Sequence, residues 1–438
     1  MSLKKRIPTA DMGRDERHYS TELAVVGSGL AGFAASVFAL ARGITCAQVG
    51  NTGAVAYTTG YFDLLGYCQD QWLDDPWRGL ELLRESEPHH PLSRIDRKEI
   101  RAAFDQFTVA LTEMGVGYTA PADRNHFALT PAGTVKPTLS VPETMLSGIE
   151  ARKVNARTLV IDILGLQGFS AKEFVANMRS SWPQLSAAKL SFPDMESGGQ
   201  VFPEVMARAL EVSSNRERFA ERVKAVLGDA QLVGMPAIMG IHHPDRVHAE
   251  LQRLVGVPLF EIPTMPPAVP GIRLREMFEQ AFPARGLTLV PQQKVKHLEL
   301  EAGRVMLYLR DSFGEMVIES KAAILATGRF LSGGLKAERG GVREALMDIP
   351  VTQPGSRADW YRQDYFDPLG HPVNRSGVEV DSSFRPLARD GEPVSARLFA
   401  AGILLAHQDW VRQRCGAGVA IASAYKAVEA AAGLLQEQ

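Results

Sequence analysis

The stretch ELAVVGSGLAGFAASVFALARGITCAQVGN, residues 22–51, decides the fold. Its first residues, Glu22 to Val26, form a short Val-rich apolar run that suits a buried parallel strand. Glycines follow at once, within Gly27-Ser28-Gly29-Leu30-Ala31-Gly32. In this spacing the first glycine serves a tight turn, the second lets phosphate approach the backbone, and the third lets helix pack on strand. Leu30 to Ala41 are small or apolar helix formers, Gly43 stops them, and Ile44 to Val49 read as a second strand. Strand, glycine turn, helix and strand make one dinucleotide-binding unit, whose helix N-terminus attracts phosphate.

One partner residue of such a unit is missing. An Asp or Glu at the end of the second strand normally accepts hydrogen bonds from the adenosine ribose, and here Gln48-Val49-Gly50-Asn51 stands in its place. That favours FMN, whose phosphate needs only the loop and the helix end, with FAD as the alternative. Asn51 is then the residue left to bond a ribose.

Further along, Val295 to Ser320 alternates apolar and polar residues, with turn signals at Ala302-Gly303 and Ser312-Phe313-Gly314. That pattern predicts a three-stranded antiparallel meander. Ala322 to Ala326 returns to a buried strand ending in Thr327-Gly328, Leu398 to Gly402 is another short strand, and Ala417 to Leu435 is an Ala-rich helix. Ala326-Thr327-Gly328 and Ala400-Ala401-Gly402 are of the kind whose backbone packs on the cofactor in flavoproteins with two dinucleotide-binding domains. With the glycine loop, in this order, they favour a flavoprotein over a nicotinamide-only dehydrogenase. An acidic residue often follows the second motif; Ile403 stands there instead.

Cys415-Gly416-Ala417-Gly418 opens the last helix. Its amides either face the flavin pyrimidine edge or simply let the helix pack closely. Cys415 reads as a small buried hydrophobe rather than an acidified thiol.

A chain of 438 residues exceeds one ordinary core. The expected organisation is α/β, a Rossmann-like flavoprotein fold with an inserted cap or substrate domain. Residues 1–20 read as a flexible tail, 21–120 as the first part of the flavin-binding domain, 121–260 as the insertion and 261–438 as the second part. Inside the insertion, helices are expected at Lys172 to Arg179 and Glu204 to Leu210.

A net charge of -2 gives no general attraction to nucleic acid, so none is assigned as a partner. The three cysteines, Cys46, Cys68 and Cys415, have neither metal-ligand nor disulfide-framework spacing, so no metal is assigned. The polar N-terminus lacks the apolar core of a secretory signal, and membrane attachment is expected only through a partner.

Several stretches resemble the B subunit of anaerobic glycerol-3-phosphate dehydrogenase, from about residue 22 to the C-terminus. Beside the glycine loop they are TTGYFDLLGY (58–67), IPTMPPAVPGIRL (262–274), ATGRFLSGGLKAERGGVRE (326–344) and CGAGVAIASA (415–424). The resemblance implies an FMN-binding subunit with two partners in one complex: an FAD-containing catalytic subunit, plus an iron-sulfur subunit that anchors the assembly to the membrane. The complex would oxidise sn-glycerol 3-phosphate to dihydroxyacetone phosphate and pass electrons to quinone. It would be cytoplasmic and peripheral to the inner membrane. Residues Ala406 to Trp410 and Arg412 to Arg414 are bulkier than such a protein tends to carry there.

Among charged residues in these stretches, Arg273, Arg339 and Arg343 suit phosphate or an anionic reduced flavin, and His407 suits a proton carrier. Arg273 and His407 are the catalytic candidates. The sequence otherwise offers scattered arginines and a lone His407, with no complete proton-transfer set. The chain is therefore read as an electron relay, against a self-contained flavin dehydrogenase or reductase and a cofactor-free scaffold.

Overall fold

The computed structural model describes residues 17–51, 54–196 and 199–437. The strand that leads into the glycine loop, Arg17–Val26, lies near the middle of a seven-stranded sheet. On one side it pairs in parallel with Cys46–Gly50, which in turn pairs with Thr288–Pro291. On the other it runs parallel to Gly314–Leu325 along its length, from Arg17 opposite Met316 to Val26 opposite Leu325. Residues Arg17 to Ser20 therefore belong to the sheet, not to a tail; the rest of the expected tail lies outside the described residues.

The meander is present as His297–Glu301, Arg304–Asp311 and Gly314–Leu325. Its last strand and the strand expected at Ala322 to Ala326 are one continuous element. The element changes partners along its length: Gly314 to Ser320 bond back to Arg304–Asp311, and Ala323 to Leu325 bond to Leu398–Ala400. The ends of three parallel strands, at Val26, Leu325 and Ala400, thus stand side by side. Helix Leu30–Ala41 packs over this sheet and against the last helix, Gly416–Gln436. A stacked pair, Phe33 and Phe278 with centroids 4.5 Å apart, joins it to helix Val269–Ala284. Gly416–Gln436 is long and apolar enough to cross a membrane by length and composition, yet its apolar side is spent on this core.

A second core surrounds a four-stranded, wholly parallel sheet in the order Leu259–Ile262, Leu232–Pro236, Thr158–Ile163, Leu185–Leu190. The strand order reverses between Thr158–Ile163 and Leu232–Pro236, as in doubly wound folds. Helices lie at Ala171–Met178 and Pro203–Ala209, within a residue of the expected spans.

Arg273 belongs to this second core. Its guanidinium, 2% exposed, donates to Glu261 through Nη1 at 2.6 Å and Nη2 at 2.7 Å, and through Nε to the Gly240 carbonyl at 2.7 Å. Glu261 also accepts from the Met239 amide and the Thr144 hydroxyl. Burial would raise the Glu261 carboxyl, but Arg273 and these donors hold it below the usual range. An arginine whose fork is spent on a buried carboxylate has none left for a substrate, so Arg273 is corrected from a catalytic candidate to a clamp within the second core.

Candidate functional site

The loop is built by contacts that leave only one of its glycines open. Gly27 has φ +133°, and a Cβ there would lie 2.1 Å from the Ala326 carbonyl oxygen. A Cβ on Gly32 would lie 2.1 Å from the Gly27 oxygen. Both are obliged to be glycine by close approach. Gly29 differs: nothing lies within 4 Å of where its Cβ would be. Fully buried Gln48 braces the turn, donating to Gly27 O at 2.9 Å and accepting from Ser36 Oγ at 2.9 Å. Helix Leu30–Ala41 starts at Gly29 with no side-chain cap, so no capping side chain takes its first-turn amides, from Leu30, Ala31 and Gly32.

The end of the second strand is closed. A Cβ on Gly50 would lie 2.3 Å from Ser28 Oγ, and Ser28 itself donates to the Asn51 carbonyl at 3.2 Å. Asn51 is exposed. Past the neighbouring strand end, Gly328 has φ +68°, and the Thr327 hydroxyl is buried without a hydrogen-bond partner. Gly402, φ +80°, donates its N–H to Ser423 Oγ at 2.8 Å and sits so close to the loop helix that a Cβ would be 2.6 Å from Ala31 Cβ.

At the last helix the structure separates the two glycines. The Gly418 N–H is taken by the Asp63 carbonyl at 2.7 Å, and a Cβ there would lie 2.4 Å from Leu64 O. Gly418 is thus corrected from a cofactor amide to a packing glycine against TTGYFDLLGY. Gly416 packs against the Trp410 ring. Cys415 is fully buried, and burial pushes its thiol well above the ordinary value.

A segment not singled out as a site packs on the proline-rich stretch. Gly271 of the proline-rich stretch packs on the turn Ala54–Tyr57, a Cβ there being 2.4 Å from Val55 O. Tyr118 donates to the Gly60 carbonyl at 2.9 Å. The TTG sequence is plain at residues 58–60, but nothing local says that Gly60 meets the proline-rich stretch, a Cβ there being 2.7 Å from Pro270 Cβ.

His407 is not alone. Held at φ +67°, it bonds through Nε2 to Glu379 Oε2 at 2.5 Å. Arg94 Nη2 reaches Glu379 Oε1 at 3.0 Å and His89 Nδ1 at 3.2 Å, and the two imidazole rings are 5.4 Å apart. Burial would raise Glu379, yet the bonds from His407 and Thr352 hold it below the usual carboxylate range. The expectation of a lone histidine is corrected. His89, Glu379 and His407 are close enough for a metal ion, but the Arg94 guanidinium already balances the carboxylate. Arg339 is exposed, and Arg343 pairs with Glu338 at 3.2 Å, on the small hairpin Leu335–Glu338 and Gly341–Glu344.

These features fit a flavin. The open face at Gly29 and the uncapped helix suit its phosphate, and the unpartnered Thr327 hydroxyl suits a polar edge. When bound, a flavin accepts and releases electrons; the loop and the strand ends would hold it.

The sequence matches the FAD binding domain model over residues 22–419. The chain belongs to the FAD-binding-domain family. It is 28% identical over 411 residues to the B subunit of anaerobic glycerol-3-phosphate dehydrogenase from Yersinia pestis, covering 92% of this chain and 96% of that one. To the protein of the same name from Vibrio cholerae it is 29% identical over 426 residues, covering 94% and 96%. The resemblance carried by the glycine loop and the four stretches is borne out, and family and relatives together make the chain a flavin-dependent oxidoreductase. Among solved structures, 3-ketosteroid delta1-dehydrogenase from Sterolibacterium denitrificans aligns with 94% of this chain and 100% of its own, at 11% identity and a TM-score of 0.44.

Proposed function

We propose that the chain is the flavin-bearing relay subunit of an anaerobic glycerol-3-phosphate dehydrogenase. It would take electrons from an FAD-containing catalytic subunit that oxidises sn-glycerol 3-phosphate and pass them, through a membrane-anchoring iron-sulfur subunit, toward quinone. The observation that carries this reading is the end-to-end match to relatives of that name. The flavin we propose is FMN: the loop offers a phosphate site, and Ser28 fills the place from which an acidic side chain would reach an adenosine ribose. The second parallel sheet serves as the cap. The site residues are Gly27 to Gly32, Thr327, Gly328, Gly402 and Gly416.

A second reading has a specific observation behind it. The set of His407, Glu379, Arg94 and His89 holds an oriented imidazole, one of the groups that oxidation of an alcohol by this chain alone would need. One experiment separates the two. The purified protein is mixed anaerobically with excess glycerol 3-phosphate while flavin absorbance is followed, with dithionite as positive control. The relay reading expects bleaching by dithionite, and by substrate only after the FAD-bearing partner is added. Rapid bleaching by substrate without the partner would overturn it. Mass spectrometry of the released flavin, expected to give FMN, tests the cofactor.

A further inference from the structure

Among the described residues, three arginines are buried. Arg216 pairs with Glu250 at 2.5 Å and Arg273 with Glu261 at 2.6 Å. Arg329 is different. At 7% exposure it bonds only to neutral groups, the main-chain carbonyls of Val373, at 2.9 Å, and Asn374. No described carboxylate forms an ion pair with it, and the one acid that it feels at longer range is Asp409. A charge held this way is costly, because carbonyl dipoles replace only part of its hydration.

Its place explains what that charge can do. Arg329 directly follows Thr327-Gly328, at the strand end that touches Gly27. The stretch that holds its guanidinium is bonded in turn to the segment between Gly402 and the last helix, since Asn374 Nδ2 donates to Asp409 at 3.3 Å and the Arg375 carbonyl accepts the His407 amide at 2.9 Å. One flank carries Thr327 and Gly328 and the other is bounded by Gly402 and Gly416, residues assigned to the flavin site above. The arginines that the sequence brings forward, Arg273, Arg339 and Arg343, are paired or exposed, whereas this one is neither.

We propose that Arg329 is the fixed cation that sets the potential of the flavin, favouring its reduced form over its oxidised form. The inference rests on the flavin reading above. Two electrons and one proton convert a neutral flavin to an anionic reduced one, and a nearby uncompensated cation stabilises the added negative charge. A low-dielectric surround strengthens this effect. Asp409 works against it, so removing the Asp409 charge should act with the opposite sign to removing the Arg329 charge. Arg329 acts through the field at the flavin and is a positioning and tuning residue, not a catalytic one.

The test is the midpoint potential of the bound flavin, measured by dye-equilibrated reductive titration of the whole chain. Arg329→Gln keeps hydrogen-bond donors for the Val373 and Asn374 carbonyls and removes the charge. At a fixed poise it should lower the ratio of reduced to oxidised flavin by tenfold or more, a fall of roughly 30 mV or more for a two-electron couple. Arg329→Lys should recover most of the shift. Asp409→Asn, which keeps the helix cap, should move the potential upward, and it decides the matter if Arg329→Gln does not fold. Flavin-loaded variants with unchanged potentials would overturn the proposal while leaving the flavin reading intact. A wild-type protein that takes up no flavin would overturn both.

Discussion

Ser28 fills the space that a side chain at position 50 would need: a Cβ on Gly50 would lie 2.3 Å from Ser28 Oγ and 2.5 Å from the Ser28 amide nitrogen. The missing carboxylate at the second strand end is therefore a steric matter as well as a chemical one. A side chain at position 50 is excluded by the loop, while Asn51 beside it stays exposed.

Introducing the carboxylate should fail for the same reason. Gly50→Glu must push Ser28 and its backbone aside, an overpacking that costs about 1–3 kcal/mol. We expect lower thermal stability, less bound flavin and no gain of FAD, read by calorimetry and by mass spectrometry of the released cofactor. A stable variant that loads FAD would show that the closure at Ser28 does not select the flavin.

Two glycines of one loop should respond oppositely. Gly29 has φ -87° and open space where a Cβ would stand, so Gly29→Leu should fold with near-normal stability yet lose flavin, its side chain occupying the phosphate approach. Gly27 has φ +133° and the Ala326 oxygen 2.1 Å from its Cβ position, so Gly27→Ala should destabilise the protein itself. Urea denaturation and flavin absorbance on both variants check this pair. Full flavin content in well-folded Gly29→Leu would remove the loop from the cofactor site.

The helix Leu30–Ala41 and the meander were legible because their signals are local: glycines at fixed spacing, an apolar run closed by Gly43, alternation with period two. The single strand Gly314–Leu325 was not, because its change of partner depends on Leu398–Ala400 arriving from far along the chain. His407 was visible as a residue but not as part of a set. Arg94 lies 285 positions from Glu379, and only the fold brings them together. Arg273 and Glu261 are only 12 positions apart, yet their burial depends on the second sheet packing over both. Charge in a sequence carries no label for depth. For that reason Arg329, which pairs with no described carboxylate, looks in the sequence like its neighbours.

The Arg273–Glu261 clamp makes a stability prediction rather than a catalytic one. Glu261→Gln alone leaves a buried guanidinium uncompensated and should cost about 3–5 kcal/mol, as should Arg273→Met. Combining the two should recover much of the loss, since neither charge is then left alone. Chemical denaturation of the three variants tests it. Additive losses in the double variant would mean that the two residues act separately.

His90 supplies the pH dependence. It is fully buried, and its Nδ1 accepts the Leu92 amide at 3.1 Å. Burial, only partly offset by Glu87, brings its pKa down to about 4 from an ordinary 6.5. The folded protein therefore keeps His90 neutral at pH values where the unfolded chain has taken up a proton. Between pH 6.5 and about 4 the unfolded state binds more protons, so stability falls as pH falls through that window. Above it the contribution is fully present, and below it both states are protonated and the loss stops. The size is roughly 3 kcal/mol, from about 1.4 kcal/mol per unit of pKa difference. His90→Asn keeps an acceptor for the Leu92 amide and cannot titrate. Urea midpoints of wild type and variant, taken in steps from pH 7.5 to 4.5, should diverge on acidification, with wild type losing more. Carboxylates that do not face His90 are present in both proteins and cancel in the difference, whereas Glu87, which faces it, is held against the effect of burial below the usual carboxylate range by Arg375. Parallel curves would show that His90 protonates as readily in the folded chain as in the unfolded one.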